Sequence, residues 1–452
     1  MSLEGAVRHR TPARWNRLFL LLGIVAYIVC FRWLYHNYLA PEWGYLGFGD
    51  DPVPAKYLLL TWLLSLIPAL WMPLLLRRPS QLAYWVLYLV VIIPSMFVSI
   101  YSHINSFPEL ATLMLFLFAG FAIVGISYHV PILRLRSLAI SKKLFWTTFL
   151  CIALALATSL LVVFRHTLTL VSFRDVYDVR FAADDLIENS LINYPLMWLS
   201  GAIDPFLVGF GLFYKRPLLT LLGVSGQLLV YASMGTKGSA SSIFFILVFY
   251  FILRNERRPF GLTLTWGLTG ALGVLCSVYL FLGERLGSLF TTVTSLILMR
   301  AIGIPGLMTA QYYDFFQRNP LTYYSTVKGI NRLVQYPYAN PIGNEVGYFY
   351  SGDRTYDAIT HFWASDGIAA LGLPGILIIS VVCAITFWIF DSVTYRQNMR
   401  FAALVTCYAA YNLCNIPLFT SVLSGGMGVL ALTLYFLPAE KNANVDATQV
   451  SI

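Results

Sequence analysis

Apolar runs long enough to cross a bilayer, about twenty residues each, recur from one end of this chain to the other. That repetition constrains the fold more than any single motif. A segment in lipid must satisfy every backbone N–H and C=O internally, which only helices and closed barrels do. The runs are continuous rather than alternating, so helices are the expected element. Composition agrees: 58% of the 452 residues are hydrophobic and 11% are charged, where a soluble domain carries roughly 25% charged residues. A soluble fold is excluded.

The reading is an all-α polytopic membrane protein of about 12 transmembrane helices, forming a single integral membrane domain over 1–452. The helices are placed near 18–34, 57–75, 82–101, 110–132, 144–164, 191–213, 217–232, 240–253, 262–282, 371–389, 401–418 and 423–437. The first run follows Arg8, Arg10, Arg14 and Arg17. It leads into Tyr35-His36-Asn37-Tyr38 without a small-residue cleavage site, and is therefore read as a retained helix. With the N-terminus in the cytoplasm, 18 of the 30 basic residues fall inside and 12 outside, half of the latter in one long loop where charge bias loses force. Both termini are then cytoplasmic. The net charge of +9 is on this reading an orientation signal, and no nucleic-acid partner is expected. The six cysteines all lie in apolar runs without Cys-x-x-Cys spacing, which reads as packing rather than thiol chemistry.

Two connections on the expected outer side are polar and long, 165–190 and 283–370. Loop length spent on one side points to chemistry there. In the first, Arg174 and Arg180 bracket Asp175, Tyr177 and Asp178. The two guanidiniums are suited to clamping a phosphate in bidentate fashion, unless the stretch is simply a salt-bridged solvated loop. In Gly235-Thr236-Lys237-Gly238-Ser239 a lysine sits between glycines that let a diphosphate approach closely; alternatively it snorkels to the interface. The run is not a P-loop.

Within the long connection, Leu286 to Met308 is apolar enough to lie along the membrane, yet it carries Arg300, a charge that needs a cavity or a partner. Tyr323, Tyr324 and Arg354 follow among charges, a pattern that suits sugar stacking and equally an interfacial aromatic belt. Glu345, Asp357, His361 and Asp366 are the candidate general bases, just before a run with Gly367, Gly372 and Gly375. Asp204, in the middle of the sixth apolar run, is either a functional intramembrane carboxylate or the cap of a helix broken at Ile203-Asp204-Pro205. No histidine spacing matches a metal motif, so neither a metal nor another cofactor is expected.

The whole pattern resembles the bacterial oligosaccharide repeat-unit polymerases (Wzy, the O-antigen polymerases). The resemblance is carried by overall topology, by Arg174 to Arg180, by the Gly235–Gly238 lysine turn, and by Thr360-His361-Phe362-Trp363-Ala364-Ser365-Asp366-Gly367 running into Leu371-Gly372-Leu373-Pro374-Gly375. It implies a GT-C-like architecture with one large outer loop in a bacterial inner membrane, its active site facing the periplasm. It also implies a donor and an acceptor that are both oligosaccharides on undecaprenyl diphosphate, with a chain-length regulator as partner. Arg174, Arg180, Lys237 and Arg300 would then hold the diphosphate; Tyr177, Tyr323, Tyr324 and Arg354 would hold the sugars. Glu345, Asp357, His361 or Asp366 would take the acceptor proton. An O-antigen ligase, to which His361 is also similar, another lipid-sugar glycosyltransferase and a lipid-linked oligosaccharide transporter are the alternatives.

Overall fold

The computed structural model describes residues 13–135, 138, 140–170, 192–254, 259–283, 287–327, 329–354, 356–358 and 363–438. Among the described residues there is no strand, and ten helices are long and apolar enough to cross a membrane. Nine of the ten coincide with expected helices; the tenth, Ser288–Arg318, lies in what the sequence presents as a connection. The expected segments near 57–75 and 401–418 form shorter helices, Ala55–Leu70 and the 17-residue Met399–Asn415, and the one near 240–253 lies in Lys237–Arg254.

The helices share one contiguous core. Ser80–Ser102 is its centre, with almost every side chain buried. Lys142–Phe164 and Phe260–Leu282 lie at the periphery and turn Leu154, Val162, Val274 and Phe281 outward, as helices facing lipid must. Between helices in lipid, small residues let backbones approach and packing replaces the hydrophobic drive. A Cβ added at Gly209 would sit 2.7 Å from Val405, and one at Gly261 2.3 Å from Trp85.

Proline decides where the helices widen. Four π-helical segments occur among the described residues: Tyr35–Leu39, Leu87–Ile92, Leu199–Ile203 and Ser295–Gly303. Each is followed by a residue whose N–H bonds five residues back (Ala40, Ile93, Asp204 and Ile304), and the residue after that is Pro41, Pro94, Pro205 or Pro305. The pyrrolidine ring clashes with the carbonyl one turn earlier and supplies no N–H, and an extra residue in the turn relieves the clash. One carbonyl is left without its backbone donor. At Pro94 the orphan is Leu89, and the Tyr27 hydroxyl donates to it at 2.6 Å. At Pro205 it is Ser200, which accepts from Gln227 Nε2 at 2.9 Å.

Two helices do not follow the up-and-down pattern. Along Ser288–Arg318, Thr294 Oγ1 donates to Tyr38 Oη at 3.0 Å, and Gly303 abuts Leu39 and Phe48. Further on, Ser99 donates to the Gly306 carbonyl, and Asn105 to that of Ala310. Those partners all belong to the same end of the bundle, since Tyr35 and Tyr101 stack at 5.1 Å there. The helix therefore lies across that end rather than through the bundle. The second exception is Trp363–Leu371. Trp363 Nε1 donates to Ser380 Oγ at 2.8 Å, two turns into Leu373–Thr394, and the helix climbs back beside that span. Their crossing is backbone against backbone: a Cβ at Gly367 would meet the Gly375 carbonyl oxygen at 2.4 Å.

This loop-rich end contrasts with the opposite one, where arginines tie loops down. Arg17 donates to the carbonyls of Ala69 and Met72 at 2.8 and 2.6 Å, and Arg78 to those of Ser127 and Val130. Asp391 accepts there from Ser80 N and Oγ at 3.0 and 2.7 Å.

Candidate functional site

The loop-rich end gathers most of the chemistry. Residues 321–325 dock on the top of Trp363–Leu371: Thr322 N and Tyr323 N donate to the carbonyls of Ala369 and Ala370 at 2.8 and 3.1 Å. Holding that turn puts both Tyr323 (φ 49°) and Tyr324 (φ 59°) in the left-handed region, which costs non-glycine residues on the order of 1 kcal/mol each and is common where function dictates geometry. Tyr323 points outward, half exposed. Tyr324 turns inward, its ring edge-on to Phe419 at 5.7 Å.

Beneath it lies Asp366, in the first turn of its helix and buried. Asp366 Oδ2, Tyr324 Oη and Ser365 Oγ are all buried without a hydrogen-bond partner among the described residues. Buried polar groups are nearly always paired, and here three unpartnered ones fall on two contacting segments. Burial pushes the Asp366 carboxyl up to about 7. It pushes the Tyr324 phenol up too, with the charge of Asp366 adding to the effect. Tyr312 completes the cluster, donating to the Ala358 carbonyl at 3.2 Å while feeling both Asp357 and Asp366.

A cationic side adjoins. The exposed Arg300 lies within charge reach of Tyr356, whose phenol burial raises and Arg300 draws back down. Arg300 also reaches Tyr411. Tyr411 stacks on Tyr408 with ring centres 6.0 Å apart, and a Cβ on Gly238 would stand 3.4 Å from Tyr408 Oη. The glycine-flanked turn that opens Lys237–Arg254 thus approaches the tyrosine pair that also feels the charge of Arg300.

The other candidates have separate partners. Glu345 accepts from Asn340 N and Nδ2 at 3.1 and 2.7 Å and so closes its own loop. With burial, its charge raises the phenols of Tyr336 and Tyr338 to about 12. Arg354 lies over the Tyr348 ring at 4.8 Å. Asp314 accepts from Tyr350 and from Arg318, each at 2.7 Å. Arg174, Tyr177, Arg180 and His361, and the side chain of Lys237, lie outside the described residues. Of the residues singled out from sequence, Asp366 and Tyr324 adjoin one another, while Arg300 is linked to Tyr356 and Tyr411; the contacts of Tyr312, Tyr356, Tyr408 and Tyr411 were not foreseen. The hint available for these was tyrosine recurring within otherwise apolar helices, a weak one because belts of interfacial tyrosine look the same.

A second polar cluster occupies the same end. His36 Nδ1 meets Asp50 Oδ1 at 2.5 Å, and His103 Nδ1 lies 3.6 Å from Asp51 Oδ2. Arg32 Nε donates to Tyr101 Oη at 2.6 Å, with Trp62 and Phe97 flanking the guanidinium. The paired histidines strap the 47–54 loop to two helix ends.

No family model matches the chain, and no solved structure matches it. Ferric reduction oxidase 7, chloroplastic, of Arabidopsis thaliana is 29% identical over 153 residues, which are 34% of this chain and 17% of that protein. The chain thus spans about a sixth of the length of the curated relative it matches, an extent that carries no activity across. What the helices and their composition establish is an all-α, multi-pass membrane protein.

Proposed function

We propose that this protein is a glycosyltransferase that polymerises oligosaccharide repeat units carried on undecaprenyl diphosphate, at the periplasmic face of a bacterial inner membrane. The observation that carries the reading is Asp366: a buried carboxyl with an unpartnered oxygen, within charge reach of Tyr312 and Tyr324. A general base works best when its pKa lies near the operating pH, and about 7 meets that condition. In the reaction an acceptor hydroxyl oxygen attacks the anomeric carbon of the donor. The bond from that carbon to the diphosphate oxygen breaks, undecaprenyl diphosphate leaves with the electron pair, and the hydroxyl proton passes to Asp366. Arg300, with the lysine turn, neutralises charge developing on the leaving diphosphate. Tyr323 and Tyr324 offer ring faces and hydroxyls to the sugars. A largely apolar cleft of about 320 Å³, lined by Tyr313, Phe316, Ile368, Leu373 and Pro374, runs beside the Asp366 helix and has the character a prenyl chain requires. The donor arrives activated, so no nucleotide is needed.

The test is reconstitution. Purified protein given undecaprenyl-diphosphate-linked repeat units, without nucleotide, is expected to produce a glycan ladder. No ladder from folded protein and the correct repeat unit would overturn the proposal, and transfer to a lipid A-core acceptor in the same sample would replace it with a ligase.

A further inference from the structure

The end of the bundle opposite the candidate site holds a cavity on which glycosyl transfer makes no demand. It has a volume of about 160 Å³ and is lined by Phe213, Tyr250, Leu253, Arg254, Arg400 and Leu404. Three helices meet there: Asn193–Phe213 and Lys237–Arg254 end at it, and Met399–Asn415 begins at it. Local structure aims both arginines at the cavity. Asn398 caps the third helix, its side chain accepting from Arg400 N and Phe401 N at 3.0 and 3.2 Å. Phe401 turns onto Phe213 and Tyr214, with ring centres 5.7 and 5.2 Å apart, and leaves the neighbouring face to Arg400. Arg254 stands one helical turn beyond Tyr250, so the two share a side of their helix.

The charge in this cavity is one-sided. Among the described residues that line it, none is acidic. Arg400 also stands in the first turn of its helix, which carries no acid and where the dipole disfavours a cation. An anion between the two guanidiniums would relieve both costs, and planar guanidiniums suit phosphate oxygens in particular. At about 30 Å³ of liquid per water, the cavity has room for a phosphate group. Its surroundings favour a lipid as the carrier of that group. Leu247, Phe251 and Phe244 form an exposed apolar stripe on Lys237–Arg254, and helical spacing sets that stripe directly beside the Tyr250–Arg254 side. Basic pockets between membrane helices hold anionic headgroups in this way. A zwitterionic headgroup would bring an ammonium that the guanidiniums repel and no lining carboxylate receives. We infer that Arg254 and Arg400 clamp the phosphate of an anionic phospholipid whose acyl chains lie along the Phe244–Phe251 stripe. The inference holds for either orientation of the chain and is independent of the glycosyltransferase reading.

The measurement is thermal unfolding of the full chain in neutral detergent, followed by tryptophan fluorescence, with phosphatidylglycerol, phosphatidylcholine or inorganic phosphate titrated in at constant ionic strength. Phosphatidylglycerol is expected to raise the midpoint saturably, by about 2–5 °C, and the other two to leave it within about 1 °C. Arg254→Gln with Arg400→Gln should abolish the rise. Lys142→Gln with Lys143→Gln, which removes the same charge from the start of another span outside the cavity lining, should keep it. Equal responses to the two lipids, or none to either, would overturn the inference. A matching response to inorganic phosphate would replace the lipid with a free anion. Loss of the response in the lysine pair as well would reduce the effect to general charge attraction, and its survival in the arginine pair would clear the cavity of any part in it. If the arginine pair does not fold, the exposed Arg254→Gln alone decides, with the half-maximal phosphatidylglycerol concentration expected to rise at least about tenfold and an unchanged value overturning the inference.

Discussion

At the scale of single residues, Asp366 carries the sharpest expectations. Asp366→Asn should reduce polymerisation about 10²–10⁴-fold, the usual contribution of a positioned general base, while membrane insertion is retained. In the native protein the rate should fall as pH drops through about 7, where the carboxylate takes up its proton. Stability runs the other way. An acid whose folded pKa lies above its unfolded value stabilises the fold most when protonated in both states, and that stability is lost as pH rises from about 4 to about 7. Asp366→Asn should therefore raise the unfolding midpoint at pH 8 and leave it nearly unchanged at pH 4. A rate independent of pH between 6 and 8 would remove Asp366 from the reaction. Arg300→Ala, by contrast, should depress polymerisation at every pH in that range. In the sequence Asp366 is one of four candidate bases with Glu345, Asp357 and His361, and its spacing does not separate it from a carboxyl in a structural hydrogen bond; its burial and unpartnered oxygen emerge only in the fold. Tyr312 and Tyr356 are not legible in the sequence at all, because the contacts that distinguish them from belt tyrosines join residues as far apart as Tyr312 and Ala358.

At the scale of elements, the coupling of π turns to proline makes a claim that a double-mutant cycle can examine. Tyr27→Phe leaves the Leu89 carbonyl without a donor and should cost roughly 1–3 kcal/mol, the penalty of an unsatisfied buried polar group. In the background of Pro94→Ala the new N–H can take that carbonyl, so the same Tyr27→Phe should cost well under half as much. Equal costs in the two backgrounds, measured by unfolding in mixed micelles, would break the link between proline and tyrosine. Gly367→Ala is the second case. Its methyl would enter the Gly375 carbonyl, so the two helices must separate, with an overpacking cost of about 1–3 kcal/mol and displacement of the adjacent Asp366. The break at Asp204-Pro205 could be read from sequence, since proline removes a donor. That it takes the form of a widened turn closed by Gln227 could not, because the closing residue comes from another helix.

At the scale of the molecule, the apolar pattern made the class plain, and nine of the ten span-length helices fall where runs of apolar residues put them. Ser288–Arg318 shows the limit of that reasoning. Its composition suits a span, and only its landing on Tyr38, Ser99 and Asn105 at one end shows that it lies across the bundle. Composition reports how much apolar surface a helix must cover and is silent on whether lipid or protein covers it. The proposed orientation is tested by labelling intact cells with a membrane-impermeant maleimide. Cysteines placed at the exposed Tyr45 and Leu333 of the loop-rich end should react, and one at the exposed Leu138 of the opposite end should not.

The crosswise helix also bears on how the protein is made. Its receiving surface comprises residues of the first quarter of the chain: Tyr38, Leu39, Phe48, Ser99 and Asn105. A ribosome finishes that surface long before the helix emerges, so a segment apolar enough to stall in the insertion machinery has a protein berth already waiting. The Trp363–Leu371 helix has no such head start, because its partner span is synthesised after it. The Asp366 helix therefore waits for chain that is made after it, and truncation just before residue 373 would leave it without the span it packs on.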